Sequence, residues 1–116
     1  MPNPVVHFEV VGKDAKKLQE FYAKAFDWHI DASNPINYGV IDTHAGGGIN
    51  GGIGPADDGG PGHVTFYIQV NDLDAYLKKV ESLGGKTVVP VTEIPNMVTF
   101  ALFSDPEGHV VGLVKE

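Results

Sequence analysis

The chain repeats itself, and the repeat limits what it can become. Residues 5–11, VVHFEVV, and residues 63–70, HVTFYIQV, both alternate apolar and polar side chains with the two-residue period of a half-buried strand. Each is followed by a residue able to cap a helix, Asp14 in the first case and Asn71 or Asp72 in the second. The helices behind these caps carry Leu18, Phe21, Tyr22, Ala25 and Phe26, and then Leu73, Tyr76, Leu77, Val80 and Leu83, at core spacing. Gly84-Gly85 offers the second helix a left-handed end. Three strand candidates follow each helix: Trp28–Ile30, Tyr38–Asp42 and Gly47–Ile53 in the first half, Thr87–Val91, Val98–Phe103 and His109–Val114 in the second. Asp105-Pro106-Glu107-Gly108 makes the last turn, with proline and glycine where a tight turn favours them. His7 falls on Thr65 and Glu9 on Tyr67, an offset of 58; Leu18 falls on Leu77, an offset of 59, the slip lying in the strand-to-helix loop. The plan is βαβββ twice, an α+β chain in which each mixed sheet curls and packs on its own helix. Half one covers about 1–54, a joint 55–62, and half two about 63–116, within one domain.

Nine of the fifteen glycines crowd into Gly46–Gly62, GGGINGGIGPADDGGPG, which contains the pattern G-x-G-x-x-G at Gly46–Gly51. A phosphate cradle needs a helix directly after the glycines, because the helix N-terminus holds the pyrophosphate. Here Asn50-Gly51-Gly52-Ile53-Gly54-Pro55 comes next, which cannot open a helix. No Lys-Ser/Thr pair is present there either, so a P-loop is excluded. The repeat assigns Gly46–Ile53 to the last strand of half one and the remainder to the joint. So much glycine in a strand marks a place where another backbone or a ligand comes close.

Composition narrows the function classes. The net charge is −7 and the eight basic residues form no stripe, which argues against nucleic-acid binding; the field suits a cationic ligand. Without cysteine there are no disulfides, thiolate metal sites or cysteine nucleophiles. MPNPVVHFEV has no basic start and no long apolar run, and no stretch approaches a membrane span of roughly 18 residues. The expectation is a cytoplasmic protein with no membrane partner. No serine lies in a nucleophile elbow.

The doubled plan, with LQEFYAKAFDW in half one and VESLGGKTVVP and SDPEGHVVGL in half two, resembles the vicinal oxygen chelate superfamily. That group includes glyoxalase I, extradiol dioxygenases and bleomycin-resistance proteins. The resemblance covers nearly the whole chain. It implies two curled sheets forming a cup around a ligand site, and a homodimer. It also implies a divalent metal in those members that do chemistry, held by His, Gln or Glu on the first and last strands of each half. Carried over, the first-strand position is His7, a good ligand. The fifth-strand position is Thr65, the last-strand position is Gly112 in Val111-Gly112-Leu113, and the fourth-strand position is Asn50 or Gly52. His63, two residues before Thr65 on the same face, could substitute. One good ligand does not make a metal site, so the expectation is no metal and no other cofactor.

His7 and Glu9 share the face opposite Val6, Phe8 and Val10. They are either ligand-binding groups, with a metal-free acid/base role open, or polar residues on a wet sheet face. Thr65, Tyr67 and Gln69 form the matching row, suited to a small-molecule pocket or again to a wet face. Asn50, His63 and Gly112 complete the candidate ligand-binding set. Trp28 reads as core, and His29, His44 and His109 as surface residues. Three functions stay open: a metal-free small-molecule binding protein, an enzyme of the glyoxalase, isomerase or dioxygenase type, and a regulatory or assembly module without ligand.

Overall fold

The computed structural model describes residues 2–43, 46–56 and 59–115; His44 lies outside them, as does part of the joint. The chain divides into two compact units, His7–Val64, and Met1–Val6 with Thr65–Glu116. Eight strands and two helices appear among the described residues, an α+β architecture of two βαβββ halves.

Half one runs β1 (Val5–Gly12), α1 (Ala15–Phe26), β2 (His29–Asp31), β3 (Gly39–Asp42) and β4 (Gly51–Pro55). Its strand order is β2-β3-β4-β1, with β1 parallel to β4 and the other neighbours antiparallel. Asp14 caps α1 by accepting from the Lys17 amide at 3.0 Å. The helix lays Leu18 and Tyr22 on a core of Val10, Ile41 and Ile53, joined by Phe8, Trp28 and Ile30. Trp28 stacks on Tyr22 with ring centroids 5.6 Å apart, so it is packed as the sequence suggested.

Two expectations need correction here. Phe21 and Phe26 occupy core-spaced positions but are exposed, and α1 buries none of its residues fully. Strands of three, four and five residues, one of them mostly glycine, present too narrow a surface to cover the whole apolar stripe. The glycine-rich strand is also displaced: it spans Gly51–Pro55, not Gly46–Ile53. Its pairing with β1 fixes this, because Phe8 stands opposite Gly51 and Gly12 opposite Pro55.

Half two runs β5 (His63–Val70), α2 (Leu73–Ser82), β6 (Lys86–Ile94), β7 (Val98–Ser104) and β8 (Val110–Lys115). The order β5-β8-β7-β6 and the parallel β5–β8 pair reproduce half one strand for strand. Asp72, not Asn71, caps α2 through the Ala75 amide at 3.1 Å. Leu73 and Leu77 pack with Val70, Ala101 and Leu113, and Ile68, Tyr76 and Phe103 border this cluster. Leu83 is the exposed C-cap rather than a core residue, and the chain leaves the helix through Gly84 at φ +101°. β6 is longer than its sequence pattern, with register breaks between Thr87 and Val89 and between Val89 and Thr92, the second spanning Pro90, which has no amide to donate.

The alternation in β5 does not predict its burial. Val64 is 74% exposed and Phe66 42%, while the polar-row residues Thr65 and Tyr67 are only 7% and 8% exposed. The α2 core begins at Ile68 and Val70 and does not extend back to Val64.

Candidate functional site

A hydrogen-bonded cluster in half one joins residues far apart in sequence. The two-residue period of β1 puts His7 and Glu9 on one face, and the β4 residue opposite Glu9 is Gly52, which has no side chain. Tyr38 fills that place. Its ring lies over Gly52 so closely that a methyl group there would fall inside the ring, and one on Gly54 would come within 2.8 Å of it. The glycines of β4 thus admit an aromatic ring against the backbone, as a strand glycine can where something must come close. On the other face Phe8 stands against Gly51 in the same way, 2.6 Å from where a methyl would lie.

Tyr38 is held from its own loop. Asn34 Oδ1 accepts from the Tyr38 amide at 3.0 Å, and Asn34 Nδ2 donates to the Tyr38 carbonyl at 2.6 Å. Gln19 of α1 donates to the Ile53 carbonyl at 2.9 Å and to the Asn37 carbonyl at 3.4 Å, tying the helix to β4 and to this loop.

The Tyr38 hydroxyl donates to Glu9 Oε2 at 2.9 Å, and His7 Nε2 stands 2.8 Å from the same hydroxyl oxygen. A hydroxyl has one proton to give, so with that proton on the carboxylate side it accepts from a protonated His7 Nε2. Burial pushes the His7 imidazole below its usual pKa, with the negative charge of Glu9 pulling the other way. The neutral Nε2–H tautomer satisfies both observations. Glu9 itself is 8% exposed. Its second oxygen, Oε1, lies 3.6 Å from His63 Nε2, and that nitrogen is buried with no hydrogen bond. The cluster can therefore offer a carboxylate acceptor, an imidazole nitrogen and a chain of groups able to pass a proton.

Half two is built otherwise. The Thr65 hydroxyl donates to the Val110 carbonyl at 2.6 Å. The Tyr67 ring lies on Gly112, its opposite on β8, where a methyl would clash with the ring, and meets Phe100 edge-on at 6.5 Å. Gln69 donates its backbone amide to the Pro4 carbonyl at 2.9 Å.

The sequence candidates thus divide, with His7, Glu9 and His63 in one cluster and Thr65, Tyr67, Gln69 and Gly112 in the other half. Asn50 is not part of the cluster: it is exposed ahead of β4 and accepts from the Thr43 amide at 3.1 Å. The register also settles the fourth-strand position. Gly52 faces Glu9 as Gly112 faces Tyr67, so Gly52 and not Asn50 is the counterpart of Gly112. His109 is exposed on the last turn, 2.9 Å from Asp105 Oδ2, and its backbone amide holds the Asp105 carboxyl below the usual range. The sequence reading left open whether Tyr38 faces the ligand side and passed over Asn34. The available signal was Asn34-Pro35 ahead of Tyr38-Gly39, since an asparagine that bonds its own turn orients the residues after it.

The positions that the resemblance gives to metal ligands do not supply a donor set. Gly52 and Gly112 have no side chains, each is covered by a tyrosine ring, and the Thr65 hydroxyl is committed to a carbonyl. Among the described residues no group of three or more His, Asp or Glu side chains could hold a metal ion. No described helix is long and apolar enough to cross a membrane.

Comparison with known proteins agrees with the fold. The family model for the Glyoxalase/Bleomycin resistance protein/Dioxygenase superfamily matches residues 5–113. The chain is 33% identical over 67 residues to "Putative glyoxylase CFP32" of Mycobacterium bovis, a match spanning 58% of this chain and only 26% of that protein. Among solved structures it is similar to a glyoxalase/bleomycin resistance protein/dioxygenase superfamily member from Vibrio splendidus 12B01, with a TM-score of 0.65 at 14% identity over 99% of this chain and 100% of that one. It is also similar to methylmalonyl-CoA epimerase from Mycobacterium tuberculosis, with a TM-score of 0.65 at 16% identity over 96% and 86%.

Proposed function

From the premise that the chain belongs to the Glyoxalase/Bleomycin resistance protein/Dioxygenase superfamily, we propose that it binds a small organic molecule at the His7–Tyr38–Glu9–His63 cluster without a divalent metal. The observation that carries this reading is the Tyr38 phenol. Its ring covers the glycine where a fourth-strand carboxylate would project, and its hydroxyl ties up His7, the one matching family ligand. Recognition then runs through hydrogen bonds to a largely buried carboxylate and an imidazole, the few fixed polar groups that orient a ligand in a small-molecule site.

A thermal-shift screen of small molecules tests the reading. A ligand present at about a hundred times its dissociation constant stabilises by about 2.7 kcal/mol, a shift of several degrees for a domain of this size. The hits should lose that shift in Tyr38→Phe and His63→Ala. A screen whose hits respond equally in these variants counts against the site. Added Ni, Zn or Mn should move the melting temperature by no more than about a degree or two, because only an ion bound to the native state stabilises it.

The second reading is a metal-free enzyme. It is favoured by the His7–Tyr38–Glu9 hydrogen-bond chain, which can hold a proton at any of three groups. A homodimer belongs to either reading, and sedimentation at micromolar concentration checks it; a monomer would remove it.

A further inference from the structure

Helix α1 turns one stripe of its surface away from its own core. Leu18 and Tyr22 pack on the half-one cluster. Lys17, Glu20, Phe21 and Lys24, spaced at i, i+3, i+4 and i+7, share another side, and all four are exposed. Phe21 is 59% exposed, yet its ring has a firm base. It meets the Tyr22 ring edge-on with centroids 5.1 Å apart, and Tyr22 stacks on Trp28 at 5.6 Å. An aromatic side chain already held on packed neighbours loses little freedom when something covers it. One turn further on, Ala25 is exposed and small, which leaves room for a ring against the helix.

The charges around Phe21 point to what covers it. Glu20 and Lys24 lie two positions to either side of Tyr22, and Lys17 and Asp27 five to either side, opposite in sign in both cases. Among the described residues none of these four side chains is held in an ion pair. Such a helix is complementary to its own copy laid antiparallel about Tyr22. Glu20 then stands against Lys24 of the second copy, Lys24 against its Glu20, and the two Phe21 rings meet near the two-fold axis. A parallel copy would set like charges against each other. An anionic surface gains nothing here, because the four charges cancel and the whole chain carries −7. This gives a face to the homodimer expected above and does not depend on the small-molecule reading. We propose that two copies of this chain associate through antiparallel α1 helices, with Phe21 at the centre and Glu20–Lys24 pairs fixing the orientation.

Sedimentation equilibrium over a range of concentrations, on the natural chain and four variants, tests this. Phe21→Ser should weaken dimerisation about a hundredfold, since a two-fold interface loses the central ring from both sides. Glu20→Lys and Lys24→Glu each set like charges together twice and should weaken it about tenfold. The double variant Glu20→Lys with Lys24→Glu exchanges the two signs and should dimerise nearly as the natural chain does. All these side chains are exposed, so the far-UV circular dichroism of every variant should match that of the natural chain. A dimer that none of the substitutions weakens overturns the α1 face and leaves the homodimer standing. Single reversals that weaken the dimer without recovery in the double variant overturn the antiparallel pairing. A natural chain that stays monomeric at micromolar concentrations removes this proposal and the homodimer together, while the small-molecule reading keeps its own test in the thermal-shift screen.

Discussion

The two halves share one topology and use it differently. In half two the positions matching His7 and Glu9 are Thr65 and Tyr67, and both are absorbed into structure, one by a carbonyl and one by packing on Gly112. Its helix buries Leu73 and Leu77, and its core has five buried members. Half one keeps an imidazole and a carboxylate, His7 and Glu9, at those positions, with His63 from the start of β5 beside Glu9; its helix has no fully buried residue, and its core has three buried members among the described residues. Duplicated architecture thus leaves one copy free to trade packing for polar chemistry. Both copies keep the same device, a tyrosine ring laid on a strand glycine.

The largest expected effects fall where the halves are alike. Ile53→Ala in half one and Leu113→Ala in half two each remove a large side chain from a closed core, and each should cost about 2–5 kcal/mol in urea denaturation. A much smaller cost for Ile53→Ala would mean that half one hardly depends on its core. Phe8→Ala, which empties the place against Gly51 and Trp28, should come close behind at about 3 kcal/mol.

Gly52→Val and Gly112→Val test the shared device. Each must displace a tyrosine ring, at a cost of about 1–3 kcal/mol. Adding Tyr38→Ala to the first or Tyr67→Ala to the second should recover part of that cost, as coupled neighbours do in a double-mutant cycle. Additive costs would contradict the ring-on-glycine packing.

Smaller effects separate the halves. Thr65→Val and Tyr38→Phe each leave buried polar atoms short of a hydrogen bond, worth about 1–3 kcal/mol. Only Tyr38→Phe should also abolish ligand-induced stabilisation. The smallest effect is in pH. The folded His7 value lies below 6.5, so between that value and 6.5 the unfolded chain binds more protons than the folded one. Stability should therefore rise with pH through this window and fall on acidification below about 6.5, levelling once the folded value is passed. His7→Gln should flatten this component, and an unchanged profile would show that His7 is not buried neutral.

Local chemistry made much of the fold legible. Asp14 and Asp72 cap helices by bonds to residues three positions away, and the alternation of VVHFEVV needs no distant partner to be read. The register of β4 was not legible, because a strand of Gly-Gly-Ile-Gly-Pro has too few side chains to alternate. The exposure of Val64, Phe66, Phe21 and Phe26 depends on how far each core extends, which periodicity does not encode. His7, Glu9 and His63 were readable as candidates by residue type and face. Their linkage was not, since Tyr38 reaches them only after Asn34 folds its loop and β3 pairs with β4.

In the proposed reading, Tyr38 over Gly52 stands where a metal ligand would project, and hydrogen bonds do the recognition. Metal analysis of purified, exhaustively dialysed protein tests it most directly. Far less than one equivalent of any transition metal per chain is expected, unchanged by His7→Ala. About one equivalent retained by the natural sequence and lost in His7→Ala would contradict it.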